Sequence, residues 1–148
     1  MRSVVLDLET SSLYANTGIV LCGVTKEYDA EFNKPPVIFR ADDYPNWKTN
    51  KSNYKRLVRD ILDHVRVFDI VIAHNGQYFD KTFLNSASIK YNLGHTLRGV
   101  KFIDPVMIAR RHLRMARNSL ASLIDYFDIE DKKSPLRFGH WIKASHDS

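Results

Sequence analysis

The fold can be read outward from "VVLDLETS", Val4 to Ser11. It is a short apolar run, apolar on both faces of an extended chain, as expected for a central strand. It also carries Asp7 and Glu9. Residues two apart on a strand point to the same face, so these carboxylates stand side by side. Burying like charges is costly unless something compensates them. Either the strand end reaches solvent, or one acid is protonated, or a cation lies between them. A ligand set made only of oxygen favours a hard ion such as Mg²⁺ or Mn²⁺.

Around this run the sequence predicts an α/β domain. Strands are expected at Ser3 to Leu8, Gly18 to Tyr28 and Pro35 to Ala41. The short links between them favour an antiparallel meander. Apolar residues at Leu57, Val58, Ile61, Leu62 and Val65 have helical spacing within Asn53 to Phe68, with Ser52 or Asn53 as N-caps. A buried strand at Asp69 to Asn75, a helix at Tyr78 to Tyr91 and a strand at Val100 to Pro105 come next. Helices follow at Pro105 to Arg114 and Ser119 to Ile129. The tail from Glu130 is polar, and "FGHWIKAS" within it could begin another helix. The element order is three antiparallel strands, then helix, strand, helix, strand, helix. That is the order of the ribonuclease-H-like fold, a mixed sheet of three antiparallel then two parallel strands, order 3-2-1-4-5, flanked by helices.

The chain of 148 residues suits a single domain. No apolar run approaches the ~20 residues a membrane helix needs, and the N-terminus enters a strand pattern without a secretory segment. One cysteine, Cys22, excludes an intramolecular disulfide and a Cys-rich zinc site, and fits a reducing cytoplasm. Cys22 is expected to be a small buried hydrophobe. The net charge is +5, with basic stretches at Lys48 to Arg59, Ala109 to Arg117 and Asp131 to Arg137. These are solvated helix faces or phosphate contacts. His64, His95 and His112 show no ligand spacing and read as surface residues, while Trp47 and Trp141 read as loop anchors.

A second motif is "IAHNGQYFDKTFL", Ile72 to Leu84. A buried strand ends at His74-Asn75, Gly76 makes a turn, and Asp80 falls on the first turn of a helix. Ligands bind at such strand ends in open α/β sheets. A lone Asp80 there could equally be a capping or dipole residue, and Phe79, Phe83 and Leu84 have the spacing of a core face. Tyr78 reads as core or surface, with base stacking as the functional alternative.

Together, "DLET" on the first strand and "HNGQYFDKTFL" after the fourth resemble the DEDD (DnaQ-like) superfamily of 3′–5′ exonucleases. "FIDPVMIARR" followed by "NSLASLIDYFDI" is similar to the segment that leads to that family's third motif. The resemblance covers Val4 to about Ala144. It implies that Asp7, Glu9 and Asp80 are catalytic metal ligands for two Mg²⁺ or Mn²⁺ ions. One ion would lower the pKa of the attacking water and the other would stabilise the leaving 3′ oxygen. It implies substrate contacts at Thr10, Asn75 and Phe79, and gives Asp104 the role of a strand-end or N-cap residue. The expected substrate is a single-stranded DNA or RNA 3′ end, with a polymerase or a second copy as a protein partner.

The family's fourth carboxylate, preceded by a His or Tyr general base, is not found at its usual spacing. His140, His146 and Asp147 are the available candidates. The resemblance therefore implies a chain stopping before the third motif, as a fragment or a naturally short protein, or one in which Asp147 serves with altered geometry. A short chain of this kind would suit a phage, acting in the host cytoplasm. Two other readings remain at this point. One is a catalytically degenerate exonuclease-fold module that binds nucleic acid or a replication partner. The other is an unrelated basic α/β domain whose acids lie far apart.

Overall fold

A computed structural model describes residues 1–29 and 31–130. Its five-stranded sheet has the order β3-β2-β1-β4-β5. The strands are β1 (Ser3–Thr10), β2 (Val20–Tyr28), β3 (Val37–Arg40), β4 (Ile70–Ile72) and β5 (Lys101–Ile103). β1 pairs antiparallel with β2, and β2 with β3; β1–β4 and β4–β5 are parallel. Four helices accompany them: α1 (Lys55–Val65), α2 (Asp80–Lys90), α3 (Pro105–His112) and α4 (Leu120–Tyr126). Two short 3₁₀ turns, Ala41–Asp43 and Pro45–Trp47, link β3 to α1, and Trp47 is buried there as the expected anchor. The ribonuclease-H-like topology expected from the element order is the one observed. Among the described residues no helix is long and apolar enough to cross a membrane.

β1 is central, as its apolar run requires, but its two faces differ. Val4, Leu6 and Leu8 are at most 4% exposed and form the core face. Val5, Asp7 and Glu9 lie on the other, with Asp7 exposed and Glu9 half-buried. The acids therefore never enter the core; alternation along the strand sends them to the open face. A register shift between Glu9 and Thr10, where Glu9 faces Cys22 and Thr10 faces Val20, marks a bulge at this end of β1. Bulges re-aim the side chains beside them. Cys22 is half-buried rather than fully buried, and burial, followed by the Glu9 charge, pushes its thiol up.

α1 buries Leu57, Val58, Ile61, Leu62 and Val65, the five residues whose spacing predicts it. A Cβ added at Gly23 on β2 would come within 2.7 Å of Ile61 and 3.3 Å of Leu8, so α1 lies directly on the Leu8 face of the sheet. The expected caps, Ser52 and Asn53, are corrected by the structure. Tyr54 holds the N-cap position, without a side-chain cap. Its N–H donates to Tyr91 Oη at 3.1 Å, Tyr91 Oη donates to Ser52 O at 2.9 Å, and the two rings meet edge to face at 5.2 Å. Packing against the end of α2 thus holds the N-cap residue, while Asn53 keeps one local contact, its Oδ1 accepting from Lys55 N–H at 3.3 Å. His64 is likewise not a plain surface residue. It is half-buried, 2.9 Å from Thr25 Oγ1 and between the rings of Phe39 and Phe68, and burial lowers its pKa. His95 is half-buried, with its Nε2 3.7 Å from Asp63, whereas His112 is exposed as expected.

Leu62 is fully buried. Leu62→Ala should lower the unfolding free energy by about 2–5 kcal/mol in urea titrations. Ile38→Ala on the exposed edge strand should cost under about 0.5 kcal/mol. Equal losses at the two positions would contradict the placement of the core.

Candidate active site

Three parallel-running strands, β1, β4 and β5, bring their carboxyl ends to one side of the sheet. A cleft of about 870 Å³ opens there, with Asp7, Glu9 and Thr10 of β1 on one side. His74, Asn75, Phe79 and Asp80 line it from the β4–α2 connection, and Arg110, Asn118 and Ser119 from α3 and its link to α4. Both halves of the two-part motif are therefore at the same site.

The β4–α2 connection is tightly built. Asn75 has φ +57°, in the left-handed region that asparagine tolerates. The Gly76 N–H donates to Ala73 O at 2.9 Å, and a Cβ on Gly76 would lie 2.1 Å from that of Ala73. No side chain fits at this position. Asn75 O and Gly76 O then accept from Phe79 and Lys81 N–H at 3.0 and 2.9 Å, leading into α2. Phe79 serves two surfaces: its ring lies 5.8 Å from that of Phe83, and it also lines the cleft. Tyr78 is on the surface, 62% exposed.

Asp104 fixes this connection. It is the N-cap of α3, as the family resemblance implies, and accepts from Val106 N–H at 3.0 Å. The same carboxylate also accepts from Asn75 N–H at 2.8 Å and Gln77 N–H at 3.3 Å. One buried acid thereby ties the second motif to the start of α3. Sequence reasoning identified the cap but not the clamp, because its other donors are 27 and 29 residues away in the chain. Arg110, Asn118 and Ser119 were also not singled out as cleft residues. The run "ARRHLRMAR" was the signal for the first of them.

Asp80 is 3% exposed at the first position of α2. Among the described residues neither a hydrogen-bond donor nor a cation engages its carboxylate. Burial, then the charges of Asp7, Asp104 and Glu9, push its pKa up to about 8. The helix dipole favours an anion at this position, so burial, together with the negative surroundings, outweighs it. A buried carboxylate beside two other acids is a donor set suited to a hard divalent cation. The three acids fit Mg²⁺ or Mn²⁺ in ligand chemistry and share one cleft. Among the described residues, however, no three acidic, histidine or cysteine side chains are gathered closely enough to hold an ion together. Thr10 Oγ1 donates to Ser12 O at 2.7 Å. His140, His146 and Asp147, the third-motif candidates, lie outside the described residues, as do Trp141 and the helix expected near it.

Comparison with known proteins supplies the family. The sequence matches the RNase_H superfamily over residues 4–139. The chain belongs to the RNase_H superfamily. Among solved structures it is similar to the family B DNA polymerase of the archaeon Pyrobaculum calidifontis, with TM-score 0.66 and 18% identity over 88% of this chain and 19% of that one. It is also similar to Escherichia coli exonuclease I in complex with a 5cy-dA13 oligonucleotide, with TM-score 0.66 and 13% identity over 97% of this chain and 40% of that one. A zinc-ion-bound form of the exonuclease I–ssDNA complex gives TM-score 0.53 and 15% identity, over 84% and 34% of the two chains. This superfamily chain spans less than half the length of each. No curated protein sequence matches it. At these identities the neighbours establish the fold, and with it the ribonuclease-H-like topology read from the element order. Membership of the superfamily supports a nuclease-type function.

Two predictions follow from this geometry. Asp104→Ala leaves three N–H groups without their acceptor and should destabilise the protein by about 2–4 kcal/mol, with Asp104→Asn recovering part of the loss. An Asp104→Ala protein as stable as the parent in urea would contradict the clamp. The second concerns pH. Asp80 holds its proton in the folded protein up to about pH 8, against an ordinary value of 3.8. Between these values the folded state binds more protons than the unfolded state, so this group lowers stability as pH rises through that window. In EDTA, Asp80→Asn should melt at a higher temperature than the parent at pH 8, and the difference should shrink towards pH 4. A difference that does not change with pH would contradict the burial of an unpaired carboxylate.

Proposed function

We propose that this chain is a metal-dependent 3′–5′ exonuclease domain that hydrolyses phosphodiester bonds at DNA or RNA 3′ ends. The observation that carries this reading is Asp80, a buried carboxylate without a donor that shares its cleft with Asp7 and Glu9. The exonuclease I neighbours are described with single-stranded oligonucleotides, and one of them with a zinc ion, which agrees with this substrate and with a metal requirement.

Asp7, Glu9 and Asp80 would hold two Mg²⁺ or Mn²⁺ ions. When bound, these ions supply charge for the phosphodiester and a lowered pKa for the attacking water. The remaining work falls to the chain itself. Carboxylates in one cleft repel a phosphodiester, so the last approach of the scissile group to them, after the strand has bound, depends on their neutralisation. Thr10 Oγ1 keeps its acceptor lone pairs while donating to Ser12 O, leaving it able to meet a terminal hydroxyl group. The Asn75 side chain is exposed at the cleft and can donate and accept at the terminal nucleotide. The Phe79 ring, steadied by Phe83, offers an apolar surface to the terminal base or sugar. The Asp104 clamp and the space-limited Gly76 hold Asn75, Phe79 and Asp80 in register with β1, and such positioning governs rate.

The test uses 5′-labelled single-stranded DNA and RNA with Mg²⁺, Mn²⁺ or EDTA. The parent should shorten one or both from the 3′ end only with metal. Asp7→Ala should lower the rate by a factor on the order of 10² or more. Folded parent protein that shortens neither substrate would overturn the reading, as would an Asp7→Ala protein that cleaves like the parent.

A further inference from the structure

The basic run beside the cleft is not used in the proposed chemistry. Pro105 to Ile124 contains four arginines, Arg110, Arg111, Arg114 and Arg117, and no acid. All four are exposed. Elsewhere Arg2 pairs with Glu27, Arg40 with Asp42 and Arg59 with Asp60, while Arg56, Arg66 and Arg98, unpaired among the described residues, do not line the cleft. Among the described residues none of the four has an ion pair or stacks on an aromatic ring. Arg110 is in the last turn of α3 and lines the cleft that contains Asp7, Glu9 and Asp80. Ala116 and Asn118, which flank Arg117, line the same cleft. The Asn118 side-chain oxygen is buried there and has no hydrogen-bond partner among the described residues. This part of the cleft therefore carries unpaired positive charge and an unpartnered acceptor, in the same cleft as the carboxylates of Asp7, Glu9 and Asp80.

We propose that Arg110, continued by Arg114 and Arg117 along the α3–α4 link, is the track that binds the phosphates of a single nucleic-acid strand as it enters the cleft. The inference rests on the nuclease reading and adds to it the route of the substrate. A guanidinium grips a phosphate with paired N–H donors. The unpartnered Asn118 oxygen suits a donor that a nucleotide carries next to its phosphate, such as a base amino group or a sugar hydroxyl. A partner presenting carboxylates alone would leave that oxygen unsatisfied. Opposite charges within one cleft also give the strand an orientation: its backbone is held at the arginines while its end approaches the acids.

The experiment is a binding titration on the full chain in EDTA, so that cleavage plays no part. A 5′-fluorescein-labelled oligothymidylate is the probe, and anisotropy is read at several salt concentrations. Arg110→Ala should weaken binding about tenfold and reduce the slope of log affinity against log salt by about 0.7. Arg114→Ala/Arg117→Ala should flatten the slope further. Arg98 is the charge control. It is exposed and precedes β5, at the opposite end of the sheet from the cleft, and Arg98→Ala should keep the parent slope. Circular dichroism melting confirms that each variant is folded. The proposal is overturned if Arg110→Ala and Arg98→Ala behave alike, or if the folded parent does not bind the probe at low salt. Loss of cleavage with binding and its Arg110 dependence intact would count against the nuclease reading alone.

Discussion

Three backbone N–H groups, those of Asn75, Gln77 and Val106, converge on the carboxylate of Asp104. The cleft depends on that convergence. Without it, the connection after β4 keeps its own backbone hydrogen bonds but loses its tie to the start of α3. It contains a left-handed asparagine and a glycine with no room for a Cβ, and it leads into a helix whose cap residue, Phe79, makes no side-chain hydrogen bond. The clamp sets where α2 begins, and so where Asp80 lies relative to the end of β1. It also links the two sides of the cleft, since the helix that Asp104 caps carries Arg110. A buried carboxylate bonded by three donors is well compensated. Its neighbour Asp80 has no such donors, and the contrast between them separates a structural acid from one available to a ligand.

The sheet's role is to place unlike side chains on opposite faces of one strand. Val4, Leu6 and Leu8 are buried on one face of β1. Asp7 and Glu9 alternate with them and emerge on the other face, where the strand ends in a bulge. The cost of charge in a core does not arise for these two residues. It arises for Asp80, at the N-terminus of a helix packed into the domain. Asp80 and its acidic neighbours therefore make the demand for positive charge, and in the proposed reading Asp7 and Glu9 would supply further ligands at the open side.

Much of this was legible in the sequence because it is periodic. The five apolar residues of α1, the meander of β1 to β3 and the central position of β1 follow from spacing alone. The two acidic motifs were joined by their resemblance to the DEDD exonucleases, and the structure brings both to the same end of the sheet. What was not legible is tertiary. Tyr54 takes a cap position that Ser52 or Asn53 would fill locally, because Tyr91 reaches it from α2. His64 leaves the surface because Thr25, Phe39 and Phe68 surround it. The clamp of Asp104 joins segments nearly thirty residues apart, and nothing near Asp104 in sequence marks it. The run Ala109 to Arg117, one of three basic stretches, read equally as a solvated helix face or as phosphate contacts until its first arginine was placed at the cleft.

The central claim is that Asp7, Glu9 and Asp80 together bind divalent metal. The most direct measurement is calorimetric titration of Mn²⁺ into the full chain at pH 7.5, beside Asp7→Asn and Asp80→Asn proteins shown to be folded. The expected result is saturable binding to the parent, with proton release as Asp80 ionises, and loss of binding in both variants. Mn²⁺ binding that survives both substitutions, or a folded parent that binds none at millimolar concentrations, would contradict the claim.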